Sequence, residues 1–168
     1  MDERELLLHI GIVALALTGA VAFPGCRDTG GSATSSEAAP IVKDYLEVAD
    51  AAGAETTTVD EQFLAEALRK LAAALGTLNL GDLDLQVALR VAAEHVVLNP
   101  ERADTTAAVR NSLISAAEAI EAGGTGGDAG LRQSAESLDP DRSLRDQTAA
   151  IREFLRKSGT ALRPVAAR

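Results

Sequence analysis

Hydrophobic and polar positions divide the chain into three stretches of different character. From Leu6 to Phe23 (LLLHIGIVALALTGAVAF) apolar residues run almost without interruption, broken only by His9 and Thr18. Between Ile10 and Leu17 no polar face remains, so the segment is not an ordinary amphipathic surface helix. Its length lies near the upper end for a secretory h-region and near the lower limit for a membrane span. Arg27 to Ala39 (RDTGGSATSSEAA) then lacks any large apolar group. That composition cannot offset its own ordering entropy, and it predicts a flexible tether with an r.m.s. span of about 20 Å.

From Pro40 onward apolar residues recur at helical spacing. Pro40 suits a first-turn position, followed by Val42, Tyr45, Leu46 and Ala49. After a cap region at Thr56-Thr57-Thr58, a second helix carries Val59, Phe63, Ala67, Leu71, Ala74 and Leu78 on one stripe, widened by Leu64, Leu68 and Leu75. Glu66 and Lys70 form an outward i,i+4 pair, and Gly76 with Asn79–Gly81 ends the helix. Asp82 or Asp84 caps the third, whose Leu85, Val87, Ala88, Leu89, Val91, Ala92, Val96 and Leu98 cover most of its circumference. This pattern predicts the most buried element of the fold. Asn99-Pro100 stops it.

Asp104 is placed to cap a fourth helix with Val109, Leu113, Ala116 and Ile120 at the spacing of a bundle seam, ended by the Gly123–Gly127 run. Leu131, Ala135 and Leu138 give a short fifth helix. Asp139-Pro140 restarts the chain as an N-cap followed by Pro, with Leu144, Thr148, Ile151 and Leu155 facing inward beside Phe154. Ser158-Gly159 closes that helix and residues 160–168 should fray. No segment alternates long enough to form a strand. The expectation is all-α: an antiparallel bundle of four to five helices over residues 40–159. Phe63→Ala and Leu89→Ala are each expected to cost about 2–5 kcal/mol as core truncations.

Composition supports this outline and narrows the chemistry. The 168 residues include 33 alanines, which favour helix and allow close helix approach. One Cys excludes an intrachain disulfide or a multi-thiolate metal site. A net charge of −9 and only four aromatics argue against nucleic-acid binding. Catalysis needs a nucleophile beside an oriented base, and beyond the apolar leader the only His is His95. It sits on the nearly all-apolar third helix, where a partly buried structural role is expected. Asp139-Pro140-Asp141 lacks the length and Gly of a Ca²⁺ loop, and Asp82 and Asp84 read as caps. The Gly123–Gly127 run has neither the strand nor the Lys-Ser/Thr of a P-loop. Arg142, Arg145, Arg152, Arg156 and Lys157 alternate with acids and predict a solvated mixed face. No catalytic residue, cofactor or metal site is expected.

The end of the apolar leader changes this picture. Phe23-Pro24-Gly25-Cys26 puts a small residue before the lone cysteine, and a polar run follows. The arrangement resembles the lipobox of bacterial lipoproteins, with Gly25 and Cys26 at its two most restrictive positions. Phe23 stands where Leu is usual and Pro24 where a small residue is, and the leader opens with Asp2, Glu3 and Glu5 against Arg4. The resemblance implies cleavage between Gly25 and Cys26 and lipidation of Cys26. It divides the chain into a signal peptide (1–25), a lipid-anchored tether (26–39), the bundle (40–159) and a tail (160–168). Arg27 after the cysteine lacks the aspartate retention signal, which implies the outer membrane, facing the periplasm, in a Gram-negative cell. Cleavage after Ala20-Val21-Ala22 would instead release a soluble exported protein; an uncleaved anchor and a buried cytosolic helix stand as further alternatives. Two functions fit: a non-catalytic lipoprotein contacting another envelope protein, or an exported module holding an apolar ligand between its helices.

Overall fold

The computed structural model describes residues 35–123 and 130–167, so the leader, Gly25, Cys26 and most of the Gly123–Gly127 run lie outside the described residues. Among the described residues six α-helices follow one another: α1 (Ser35–Gly53), α2 (Glu61–Thr77), α3 (Leu83–Leu98), α4 (Ala103–Ala122), α5 (Gly130–Glu136) and α6 (Thr148–Ala166). A 3-10 turn, Leu144–Gln147, leads into α6, and no strand occurs among the described residues. Each helix packs on the next, and α1 also packs on α6. The sequence therefore folds as an all-α bundle in which the first and last helices are neighbours.

The apolar rows explain the core. Leu64, Leu68, Leu71 and Leu75 of α2 meet Leu89 and Val96 of α3, Leu113 and Ile120 of α4, and Ile151, Phe154 and Leu155 of α6 in one buried cluster. Alanine fills the closest approaches, with Ala65, Ala67, Ala72, Ala93, Ala116 and Ala117 fully buried. The seam expected on α4 is buried at all four positions, and Glu66–Lys70 pair on the outside of α2 at 2.8 Å. Phe63 and Val59 are only partly buried, because the inward stripe of α2 is centred nearer Leu68 and Leu71.

Several boundaries differ from the pattern. α1 begins at Ser35, so the last five residues of the expected tether are helical and Pro40 lies inside the helix. Glu37-Ala38-Ala39 have high helix propensity, and the amide missing at Pro40 removes only one bond close to the start. At the other end α6 runs through Ser158-Gly159 to Ala166. Tertiary packing overrides the local stop signal: Ser158, Ala161 and Leu162 are buried, and a Cβ on Gly159 would stand 2.6 Å from the Ala49 Cβ. The absent side chain permits close approach of α1 and α6, which outweighs the roughly 1 kcal/mol propensity cost of glycine.

Caps are also reassigned. Asp60, not the threonine triplet, caps α2, its Oδ1 accepting from the Phe63 N–H at 2.8 Å. Asp104 lies in the first turn of α4 and pairs with Arg102 at 2.8 Å, favouring the positive end of the helix dipole without capping it. Asp139 does not start a helix. Its Oδ1 accepts from the Asp141 N–H at 3.0 Å, closing an Asx turn. The connection that follows is organised by buried Gln147, whose Nε2 donates to the carbonyls of Asp139, Arg142 and Ser143 at 2.9, 3.1 and 3.2 Å.

Candidate functional site

α3 reaches its position through a tight connection. Leu80 donates its N–H to the Leu75 carbonyl at 2.8 Å, while Asn79 (φ 53°) and Gly81 (φ 81°) take left-handed backbone. Only glycine adopts the second conformation freely, and a Cβ at Gly81 would also collide with the Leu85 side chain. Asp82 then caps α3, its Oδ1 accepting from the Leu85 N–H at 2.9 Å. The reversal lays α3 along α2, with α4 as its other main neighbour.

Those neighbours cover one face only. Leu85, Leu89, Ala92, Ala93 and Val96 are buried. On the opposite side Leu83, Val87, Val91 and Leu98 are 69%, 48%, 47% and 72% exposed. With successive residues about 100° apart, these four share an arc of about 80° and a length of about 22 Å. The expectation that α3 is the most buried element is therefore corrected: it is apolar all round but stands at the rim of the bundle. Asp84, Arg90 and Glu94 carried the signal, since all three fall on the same half as the apolar stripe and no fully buried helix would accept three unpaired charges there.

His95 is exposed beside this stripe, not partly buried. Its location gives it no oriented partner for proton transfer among the described residues. The same holds for the side chains of Arg90, Glu94 and Asp84, which make no ion pair within the described chain.

Elsewhere the polar groups serve the fold. Arg152, expected on a solvated face, donates to the carbonyls of Ala52 at 3.0 Å and Ala54 at 2.9 Å, and also to that of Thr57, satisfying the end of α1. Arg145 joins Glu61 of α2 to Glu101 of the α3–α4 connection, the latter at 3.1 Å. Its guanidinium holds the Glu61 carboxyl below the usual carboxylate range. Thr105 and Thr106 are buried and donate to the carbonyls of Asn99 and Arg142 at 2.8 and 2.9 Å.

Three hollows are lined by described residues of the bundle. One lined by Val59, Leu64, Leu144 and Ile151 holds about 20 Å³, which is room for a water molecule. Two larger ones, of about 440 and 410 Å³, are open grooves bordered by Arg152, Glu153 and Arg156 and by Asp82 and Asp84 respectively. Among the described residues no group of three His, Cys, Asp or Glu side chains could hold a metal, and no helix is long and apolar enough to cross a membrane. Among the described residues, the outer stripe of α3 is an apolar surface that no other element of the fold covers. Comparison with protein-family models, curated proteins and solved structures finds no match to this chain.

Proposed function

We propose that the chain is a bacterial envelope lipoprotein whose bundle is non-catalytic and works by protein–protein contact through the outer face of α3. The exposed row Leu83, Val87, Val91 and Leu98 carries this reading. Four large apolar side chains aligned on one rigid helix recur where a groove or a second helix is recognised. The lipobox-like Phe23-Pro24-Gly25-Cys26 supplies the anchor, with the membrane bound through lipidated Cys26 and the bundle held at the envelope. Lipid chains contribute about 0.8 kcal/mol per buried CH₂, and two of them give stable attachment.

Mass spectrometry of the mature N-terminus, with fractionation of Cys26→Ser, tests the anchor. A diacylglycerol-modified Cys26 and loss of the variant from the membrane are expected; an unmodified wild type that stays soluble overturns it. A photo-cross-linkable residue in place of Val91 tests the contact face in cells. Adducts to protein at this position, absent when the same residue replaces exposed Gln133, are expected, and their absence removes the assignment.

A further inference from the structure

The charges around the α3 stripe are arranged so that the face complements itself, and we infer that it pairs with α3 of a second copy, antiparallel about a two-fold axis passing near Arg90 and Val91. This inference rests on the reading of α3 as a contact face and specifies its occupant. Leu83 and Leu98 end the stripe at equal distances from that axis, about 11 Å on either side at 1.5 Å per residue. Antiparallel pairing therefore sets Leu83 level with Leu98 of the other copy at both ends. In between, Val91 lies beside Val91 of the other copy at the axis, and Val87, level with the other copy's Glu94, falls about one helical turn from that Val91.

The polar residues follow the same symmetry. A two-fold axis of this kind brings like flanks together, so each edge of the stripe meets the same edge of the other copy. Glu94 lies within the stripe, and Arg90, one turn earlier, borders it on one edge. Covering Glu94 would be costly unless a cation met it. In the antiparallel register Arg90 of the opposite copy lies within about one helical turn of it, and the relation is reciprocal. On the other edge Asp84 and His95 stand about 10 and 7 Å from the axis on opposite sides, which brings each beside the other residue type of the second copy. Each of these four ionisable groups of α3 thereby gains a neighbour able to complement it, although none of them has an ion pair within its own described chain.

A parallel arrangement would lose these relations, stacking Glu94 on Glu94 and Arg90 on Arg90. An apolar ligand or a lipid surface would use the four aliphatic side chains but leave Glu94 without a cation. The pattern fits a helix that repeats the same sequence in reverse.

The test uses the full chain in its native membranes, with a photo-cross-linkable residue at position 91. Position 91 lies next to the axis, so irradiation is expected to give a homodimer joined between residue 91 and residues 87–91 of the other copy. Arg90→Glu and Glu94→Arg are each expected to lower the dimer yield about tenfold, and the double reversal to restore it. Circular dichroism of the variants checks that they fold, since all the changed positions are exposed. An adduct from position 91 to a different protein overturns the self-pairing while leaving the contact face intact. No protein adduct at all from a folded chain overturns both. Dimer yields that are equally low in the double reversal and the single variants overturn the two-fold register.

Discussion

The Tyr45 hydroxyl and Ser158 Oγ lie 2.6 Å apart in the buried seam between α1 and α6. Ser158 spends its only proton on the Leu155 carbonyl at 2.9 Å, so Tyr45 is the donor of the pair. Both groups are fully enclosed, and the bond links two helices 113 residues apart in sequence. Ser158→Ala leaves the phenol without an acceptor and is expected to cost about 1–3 kcal/mol, measured by urea unfolding. Tyr45→Phe should cost less, because the serine keeps its bond to the backbone.

The same tyrosine sets an alkaline limit. Burial pushes its phenol up from the usual value, an effect that the hydrogen bond to Ser158 only partly offsets. A raised folded value stabilises the native state below the unfolded value of about 10 and loses that stabilisation above it. Unfolding midpoints should fall as pH rises beyond about 10, and tyrosinate absorbance should appear together with loss of helical ellipticity.

Gly159→Ala is expected to destabilise by about 1–3 kcal/mol even though alanine is the better helix former. The added methyl would meet the Ala49 Cβ at 2.6 Å, and neither group has another rotamer to adopt. Ala49→Gly in the same chain should recover much of the loss. Equal stability of Gly159→Ala and wild type would mean that α1 and α6 do not approach this closely.

Truncating the two phenylalanines should separate centre from margin. Phe154 is fully buried, so Phe154→Ala is expected to cost about 3–5 kcal/mol. Phe63 is only partly buried, and Phe63→Ala should cost about half as much, near the lower end of the range its place in the sequence pattern implies. Leu89 is fully buried and keeps the expected cost of about 2–5 kcal/mol.

The Arg145 hydrogen bond holds the Glu61 carboxyl low, so its contribution is present above the unfolded value of about 4.3 and is lost as pH falls through the folded value. Arg145 is largely exposed, so solvent screening keeps the contribution small. Glu61→Gln should therefore flatten the acid limb of a stability–pH curve slightly and leave its neutral plateau nearly unchanged. A full-sized acid limb in the variant would assign the effect to other carboxylates.

Legibility in the sequence followed the local strength of each signal. Val109, Leu113, Ala116 and Ile120 could be placed because a single face repeats cleanly and Asn111, Ser115 and Glu118 mark the opposite side. α3 could not be oriented by the same means. When apolar residues occupy the whole circumference, periodicity identifies a helix but not which side is covered, and only the interspersed charges held that information. The end of α6 was hidden for a different reason. Ser158-Gly159 is a sound stop signal in isolation, and the α1 surface that reverses its meaning lies more than a hundred residues away. Gln147 and Arg152 were equally unreadable as buried plug and helix cap, because their partners are backbone carbonyls, which every sequence possesses.

Closure of the bundle by its two ends has a consequence for how the chain acquires its structure. Tyr45, Ala49 and Ala52 lie on the side of α1 that faces α6, and α6 leaves the ribosome after every other described helix. Until then α1 has only α2 to lean on, and its remaining apolar surface is open to water. Helices α2 to α4 can assemble from near neighbours, but the final docking spans almost the whole length of the domain. The fold therefore cannot lock until α6 has been made. A chain destined for export would stay loose until that point.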